Sequence, residues 1–513
     1  MRKKLPIGIQ TFREIREEGY YYVDKSGFAL SLIEQGKYYF LSRPRRFGKS
    51  LFLDTIKELF EGNEPLFTGL AVHDKWNWSV QYPVIRISFG GGVVRNRSEL
   101  DATLHQQLSY HEGRFGLPAA FPDIRSRFLE LIRLVREQIG QRVVILVDEY
   151  DKPILDRIEE PDAAREIREG LKDFYSVIKD SDANIKFAFL TGVSKFSKVS
   201  LFSGLNNLED ITLSASYSAI CGYTDKDLEM VFAPELEGLD RDEVRQWYNG
   251  YNWLGDAVYN PFDLLLLFRN RLFRPWWFET GTPAFLIELL SERQQFTPDL
   301  ARITAPESLL STFDVGNIPS EALLFQTGYL TIDSARYLPG RLELTLRYPN
   351  KEVLAGLNDC LLQALSQDPM APARNVSRLY DILIANDTAA LKDLFHSFYA
   401  SIPHDWYRKN QLSGFEGYYA SIFYSYFAAL GLDITVEDST NRGRIDMVVR
   451  FGGHIYLFEF KVVEMVPEGK ALEQLQAKRY AEKYRQYGEP LHLIGVEFSR
   501  ESRNIVGFEL AEG

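Results

Sequence analysis

A lysine and a hydroxyl placed directly after a glycine, at Gly48-Lys49-Ser50, form a group suited to holding phosphates. Backbone N–H groups at a helix start attract phosphate oxygens, the lysine reaches the β- and γ-phosphates, and the serine hydroxyl suits Mg2+. The candidate nucleotide-binding residues of this loop are Arg45, Arg46, Phe47, Gly48, Lys49, Ser50 and Leu51. Arg45 and Arg46 would contact phosphates or a neighbouring subunit's nucleotide, and a solvated basic face explains them equally well. The loop departs from the general GxxxxGK[ST] pattern, because Arg43 stands where the first glycine would be. Its plain alternative is a helix start with a solvent-facing lysine. An acidic pair, Asp148-Glu149, strengthens the phosphate reading. Asp148 fits the Mg2+-side carboxylate and Glu149 the base that polarises an attacking water. Thr191 would bring a hydroxyl near the γ-phosphate, although ordinary loop chemistry explains it nearly as well.

A second constellation lies near the other end of the chain. Asp446 precedes Glu459-Phe460-Lys461 by twelve intervening residues, with Gly452-Gly453 between them. Two apolar-rich runs joined by Gly-Gly read as a hairpin with a two-residue turn. Folded at that turn, Phe451 faces His454, Asp446 faces Glu459, and Arg444 faces Lys461. Two carboxylates with a neighbouring lysine suit a divalent cation that takes oxygen ligands. Such a cation stabilises developing phosphate charge and supplies a hydroxide, while Lys461 orients the water. A solvated amphipathic hairpin is the plain alternative, and a one-residue slip would move Asp446 to the other face. Glu416, at the start of an apolar helix, is a further candidate metal ligand, or simply a charge that suits a helix N-terminus. Gln474 and Lys478, at i and i+4, and Arg442 and Arg444 are candidate nucleic-acid contacts. Surface roles explain these four about as well.

These groups need elements to hold them. The run Tyr38 to Leu41 predicts a strand leading into the phosphate loop, and Leu51 to Phe60 a helix leaving it. Apolar runs at 83–89, 143–147 and 185–190 predict further strands, with helical stretches between them. Strands apolar on both faces and alternating with helices predict a parallel sheet covered on both sides. Residues 213–346 read as mostly helical, and 367–375, with Pro369 and Pro372, as a linker. A helix, paired strands and a polar helix follow, the layout of a second small α/β domain. The expected domains are 1–212, 213–366 and 376–513.

The chain has 513 residues, 45% of them hydrophobic and 25% charged, a composition that excludes disorder, collagen-like fibres and small disulfide scaffolds. A net charge of −12 argues against coating nucleic acid through bulk charge. Two cysteines, Cys221 and Cys360, fit a reducing cytosol, and the basic N-terminus leads into no apolar signal core. A cytoplasmic location without membrane attachment is expected.

The stretches Tyr22-Val23-Asp24-Lys25-Ser26, Arg43 to Ser50, Leu190 to Ser197 and Tyr248-Asn249-Gly250-Tyr251 resemble the AAA-ATPase-like family of prokaryotic proteins. So do Tyr259 to Phe262, Trp277 to Pro283 and Leu324 to Leu330. That family also carries Arg at the first loop position and often a C-terminal PD-(D/E)xK nuclease-like domain. The resemblance implies an α/β fold: a P-loop NTPase parallel-sheet core, a helical middle and a PD-(D/E)xK nuclease-like end. It implies ATP with Mg2+, Mn2+ being possible at the nuclease-like site, DNA as the favoured nucleic-acid partner, and possible homo-oligomers. The alternative is a nucleotide-dependent switch or scaffold whose C-terminal domain binds without cutting.

Overall fold

The computed structural model describes residues 2–119, 121–195, 207–278, 286–287, 290, 297–310, 318–366, 368, 370–401, 416–440 and 443–513. The chain divides into two compact units, Met1–Phe273 with Ile303–Pro349, and Arg274–Arg302 with Asn350–Gly513. Residues 213–366, expected as one helical middle, are shared between the two.

The first unit is built on five strands: β1 Tyr38–Ser42, β2 Val84–Ser88, β3 Val143–Asp148, β4 Ile185–Gly192 and β5 Glu209–Asp210. Their order is β2-β3-β4-β1-β5, and every pair is parallel. Each residue of β1 and β3 is buried, which is why these strands are apolar without alternation. Each such Val, Leu, Ile or Phe contributes about 1.5–3 kcal/mol on burial. The covering helices show the matching period. Lys49–Phe60 buries Phe52, Leu53, Ile56, Leu59 and Phe60, and Ile124–Ile139 buries Phe128, Leu131, Ile132 and Val135. Asn96 and Asp123 cap their helices by accepting from Glu99 N at 3.0 Å and Ser126 N at 2.8 Å. Ser42 lies beside Gly192, and Ser88 beside Asp148. The phosphate loop, the acidic pair and Thr191 therefore share the carboxyl edge of the sheet, where open α/β sheets bind ligands.

The middle segment is helical at Asp225–Val231, Arg241–Tyr248, Pro261–Asn270 and Ser320–Thr327. It also holds a three-stranded antiparallel sheet that the helical expectation omitted: β6 Ile303–Pro306, β7 Thr331–Leu338 and β8 Arg341–Arg347, in the order β6-β8-β7. The signal was present in Pro339-Gly340 followed by the alternation Leu342-Glu343-Leu344-Thr345-Leu346.

The second unit carries β9 Asp433–Thr440, β10 Gly443–Phe451, β11 His454–Val463, β12 Leu491–Ser499 and β13 Ile505–Glu512, ordered β13-β12-β11-β10-β9. Only β11 and β12 run parallel, and their crossover contains the helix Lys470–Ala477. The two faces of the sheet bury different cores. Tyr456, Phe458 and Phe460 join Phe423 and Phe427 of the helix Glu416–Ala429. Ile455 and Leu457 join Leu475 and Tyr480. Gly495 of β12 is essential to the second face, since a Cβ there would stand 2.4 Å from Leu472 N. Glycine lets that helix lie directly on the sheet.

Candidate nucleotide and nuclease sites

The phosphate loop is held from within and from below. Gly48, at φ 91°, turns the chain into the helix Lys49–Phe60. Lys49 is buried and donates to the carbonyls of Arg43 at 2.8 Å and Pro44 at 2.9 Å. Burial pushes its amine below the ordinary lysine value, against the pull of Cys221, Glu149, Asp148 and Asp151. Arg43, in the place of the missing glycine, is 1% exposed and donates to the carbonyls of Ser42, Thr212 and Tyr217 at 2.8, 2.9 and 3.1 Å. Its guanidinium lies 4.0 Å from the Trp253 ring centre. Arg43 therefore staples the loop base to the segment after β5, and burial lowers its pKa to about 10. Phe47 is buried edge-on against Tyr251 and Trp253, at 4.7 and 5.6 Å between ring centres. Its side chain thus packs the loop against the buried aromatics Tyr251 and Trp253. Arg45 and Arg46 are exposed. Arg46 sits at φ 71° with its guanidinium 4.7 Å from the Phe262 ring centre.

At the end of β3, Asp148 is 3% exposed and both its oxygens have donors. Thr191 Oγ1 donates to Oδ1 at 3.0 Å, and Arg86 Nη2 to Oδ2 at 3.2 Å. Arg86 Nη1 also donates to Asp54 Oδ1 at 3.0 Å, on the loop's own helix. Asp54 in turn accepts from Phe12 N at 2.8 Å. Sequence reasoning named Thr191 but missed Arg86 and Asp54. A lone cation in the apolar strand Val84-Ile85-Arg86-Ile87 was the available signal. Glu149 adopts the left-handed conformation, at φ 54°. Burial raises its pKa, Lys49 and Arg45 lower it, and Asp148 and Asp151 raise it further. Lys49, Arg45 and Asp148 thus all lie within electrostatic reach of Glu149.

In the second unit the hairpin has the expected register, with Phe451 opposite His454. The ladder stops at Met447 opposite Phe458, one pair short of the carboxylates. Asp446 does not pair across with Glu459. Its Oδ2 accepts from Phe460 N at 2.8 Å. Like charges directly opposite destabilise a sheet, which fits the parting of the strands at this pair. Asp446 also drops out of the β9 ladder opposite Glu437, which sits at φ 47°. Arg444, expected opposite Lys461, pairs instead with Ser439 of β9, and its guanidinium binds the exposed Glu437 at 2.8 Å.

Glu459 is fully buried and accepts from Gln474 Nε2, with Lys461 Nζ 3.6 Å from Oε1. Gln474, a candidate nucleic-acid contact, meets Glu459, while Lys478 is exposed just beyond the helix. Tyr480 closes the cluster. Burial raises its pKa, and Glu459, Gln474, Asp446 and Lys461 all act on it. The structure therefore brings Asp446, Glu459, Lys461, Gln474 and Tyr480 together. It adds buried Glu497, the β12 neighbour of Lys461, which accepts from the N–H groups of Glu468, Gly469, Lys470 and Ala471. That carboxylate anchors the helix bearing Gln474. Tyr480 and Glu497 were missed because their partners are distant in sequence. The Glu416 side chain and Arg442 lie outside the described residues. Among the described residues, no group of three or more His, Cys, Asp or Glu could hold a metal ion.

Comparison with known proteins matches these two regions separately. Residues 6–202 match a family model described as predicted AAA-ATPase, and residues 414–508 one described as PD-(D/E)XK nuclease superfamily. A protein of Azotobacter chroococcum mcd 1, described as "Uncharacterized protein in vnfD 5'region", is 63% identical over 508 residues, covering 99% of this chain and 98% of its own. No solved structure matches the chain. With a parallel-sheet core carrying the phosphate loop and a mixed sheet carrying the Asp446–Glu459–Lys461 cluster, the chain belongs to the AAA-ATPase-like family with a C-terminal PD-(D/E)XK nuclease-superfamily domain.

Proposed function

We propose that the chain binds ATP with Mg2+ at its phosphate loop, hydrolyses it, and cleaves phosphodiesters, with DNA the favoured substrate, in its C-terminal unit. One observation carries this reading: in each unit a lysine lies within electrostatic reach of acids at a sheet, Lys49 of Asp148 and Glu149, and Lys461 of Glu459, with Asp446 in the same cluster. Both donor sets are hard oxygens, which suit Mg2+, and Mn2+ at the second site. Ser50 and Asp148 would hold the first ion, and Asp446 and Glu459 the second, with Glu416 as a further ligand. The bound ions would neutralise phosphate charge.

The residues divide the remaining work. Backbone N–H groups of Phe47 to Leu51 bind phosphate oxygens, and Lys49 exchanges its loop carbonyls for them. Glu149, with its proton affinity raised by burial, accepts a proton from the attacking water. In the second unit Gln474 orients Glu459, and Lys461 positions the water. Arg442, Arg444 and Lys478 would meet the nucleic-acid backbone. Arg45 and Arg46, both exposed, would serve a neighbouring subunit's nucleotide in a homo-oligomer, which native mass with and without ATP would reveal. Among the described residues, no helix is long and apolar enough to cross a membrane, and we place the protein in the cytoplasm.

The test is incubation of the full chain with Mg2+ or Mn2+, with and without ATP, on single- and double-stranded DNA and RNA. Metal-dependent cleavage is expected, together with release of phosphate from ATP. A preparation that binds ATP and cuts nothing under any condition would remove the nuclease claim and leave a nucleotide-dependent binding module.

A further inference from the structure

Three of the four residues in the acidic turn Asp148-Glu149-Tyr150-Asp151 are tied to a single segment, Thr191 to Ser194. Asp148 accepts from Thr191 Oγ1. The Tyr150 N–H donates to Thr191 O at 3.0 Å, and its hydroxyl donates to Ser194 O at 3.0 Å. Asp151, 1% exposed, accepts from Val193 N at 3.1 Å, Ser194 N at 2.6 Å and Ser194 Oγ at 2.5 Å. The fit is close enough that a Cβ on Gly192 would stand 2.5 Å from both Asp151 Oδ1 and the Tyr150 ring. Glu149 differs from its three neighbours. It takes the left-handed conformation, and its Oε2 lies 3.4 Å from where a Gly90 Cβ would be. A non-glycine residue keeps such a conformation only where its surroundings over-determine it. The ties on either side of Glu149 do so, and Asp151 makes the most of them.

We propose that Asp151 is a positioning residue for Glu149: by binding the turn to the end of β4, its buried carboxylate fixes the left-handed backbone of Glu149 and with it the place of the Glu149 carboxylate. This rests on the reading of Glu149 as the base for ATP hydrolysis. Asp151 itself touches none of the reacting atoms.

Asp151→Asn in the full chain leaves one acceptor oxygen for three donors. ATP affinity is measured with a fluorescent nucleotide, and Mg2+-dependent turnover alongside it. Affinity should stay within about twofold, while kcat falls about tenfold or more. A merely structural anchor would lower the melting temperature, or lower affinity and turnover together. A kcat within twofold of wild type, or a fall in kcat matched by an equal loss of affinity, overturns the proposal. If Asp151→Asn does not fold, Ser194→Ala decides, since it removes only the hydroxyl donor. A several-fold drop in kcat at unchanged affinity supports the proposal, and unchanged kcat overturns it. Wild-type protein with no ATP turnover would sink the hydrolysis reading and this proposal together. Turnover indifferent to both variants would sink the proposal alone.

Discussion

The two candidate sites use the same residue types and hold them by different means. In the first unit the backbone does most of the holding. Lys49 sits on two loop carbonyls, Arg43 on three, and Asp148 lies between a hydroxyl and a guanidinium. In the second unit side chains do it: Gln474 on Glu459, Lys461 beside them, and Tyr480 over the cluster. The second site, built across a hairpin and a crossover helix, depends on strand register and on that helix's seat. The acids reverse this division. Asp148 is held by two side chains, Thr191 and Arg86, whereas Asp446 leaves the ladder and takes a backbone N–H.

The sharpest way to break the comparison is to remove chemistry from one site and read both. Glu459→Ala or Lys461→Ala should reduce DNA cleavage about a thousandfold or more, several kcal/mol of transition-state stabilisation. ATP binding should be unchanged. A gel assay beside nucleotide titration checks both, and residual cleavage near wild type would refute the assignment of that site. Lys49→Ala should weaken ATP binding about 10- to 100-fold, the value of one strong charge-assisted hydrogen bond. Any effect of ATP on cleavage should vanish with it, measured as cleavage rate against ATP concentration.

Smaller effects sharpen the contrast between backbone and side-chain support. Gly495→Ala places a Cβ 2.4 Å from Leu472 N. Overpacking of this kind costs about 1–3 kcal/mol, and denaturant unfolding should register it in the second unit while ATP affinity holds. Arg86→Leu leaves Asp54 and Asp148 without their shared cation. Because Arg86 is 27% exposed, solvent screening holds the expected loss to about 1–2 kcal/mol, read by thermal unfolding without nucleotide.

The smallest effect is a pH dependence at Glu149. Its folded pKa is raised above the ordinary glutamate value of 4.5, chiefly by burial. Between the unfolded and folded values the native state therefore binds more protons, so stability from this group is greatest below 4.5 and falls as pH rises through the folded pKa. Glu149→Gln removes the term. Relative to wild type, its melting temperature should improve as pH rises from 4 to 8, and a constant difference would contradict the direction of the shift.

Much of this was legible in the sequence because it depends on short-range pattern. Apolar runs such as Val143 to Val147 predict buried parallel strands, and Gly48-Lys49-Ser50 after a strand predicts the loop. Gly452-Gly453 sets the hairpin register, which the structure keeps through Phe451 and His454. The β6–β8 sheet was legible too, in Pro339-Gly340 and the alternation after it, but the surrounding helices obscured it. Other features had no local signature. Arg43 reads as a defect in a phosphate pattern, yet its partners, Thr212, Tyr217 and Trp253, lie about 170 to 210 residues away in the chain.

The sequence by itself determined which groups could act and on which kind of element each would lie, because helix and strand periods and turn chemistry are set by neighbouring residues. Only the tertiary structure decided how those groups are held. Arg86 joins Asp54 to Asp148, Asp151 grips the end of β4, Glu497 seats the helix that carries Gln474, and Asp446 accepts a backbone N–H from Phe460. Each of these is a buried polar group that must find a partner, and where that partner lies depends on how the strands are ordered and which helices cross over them.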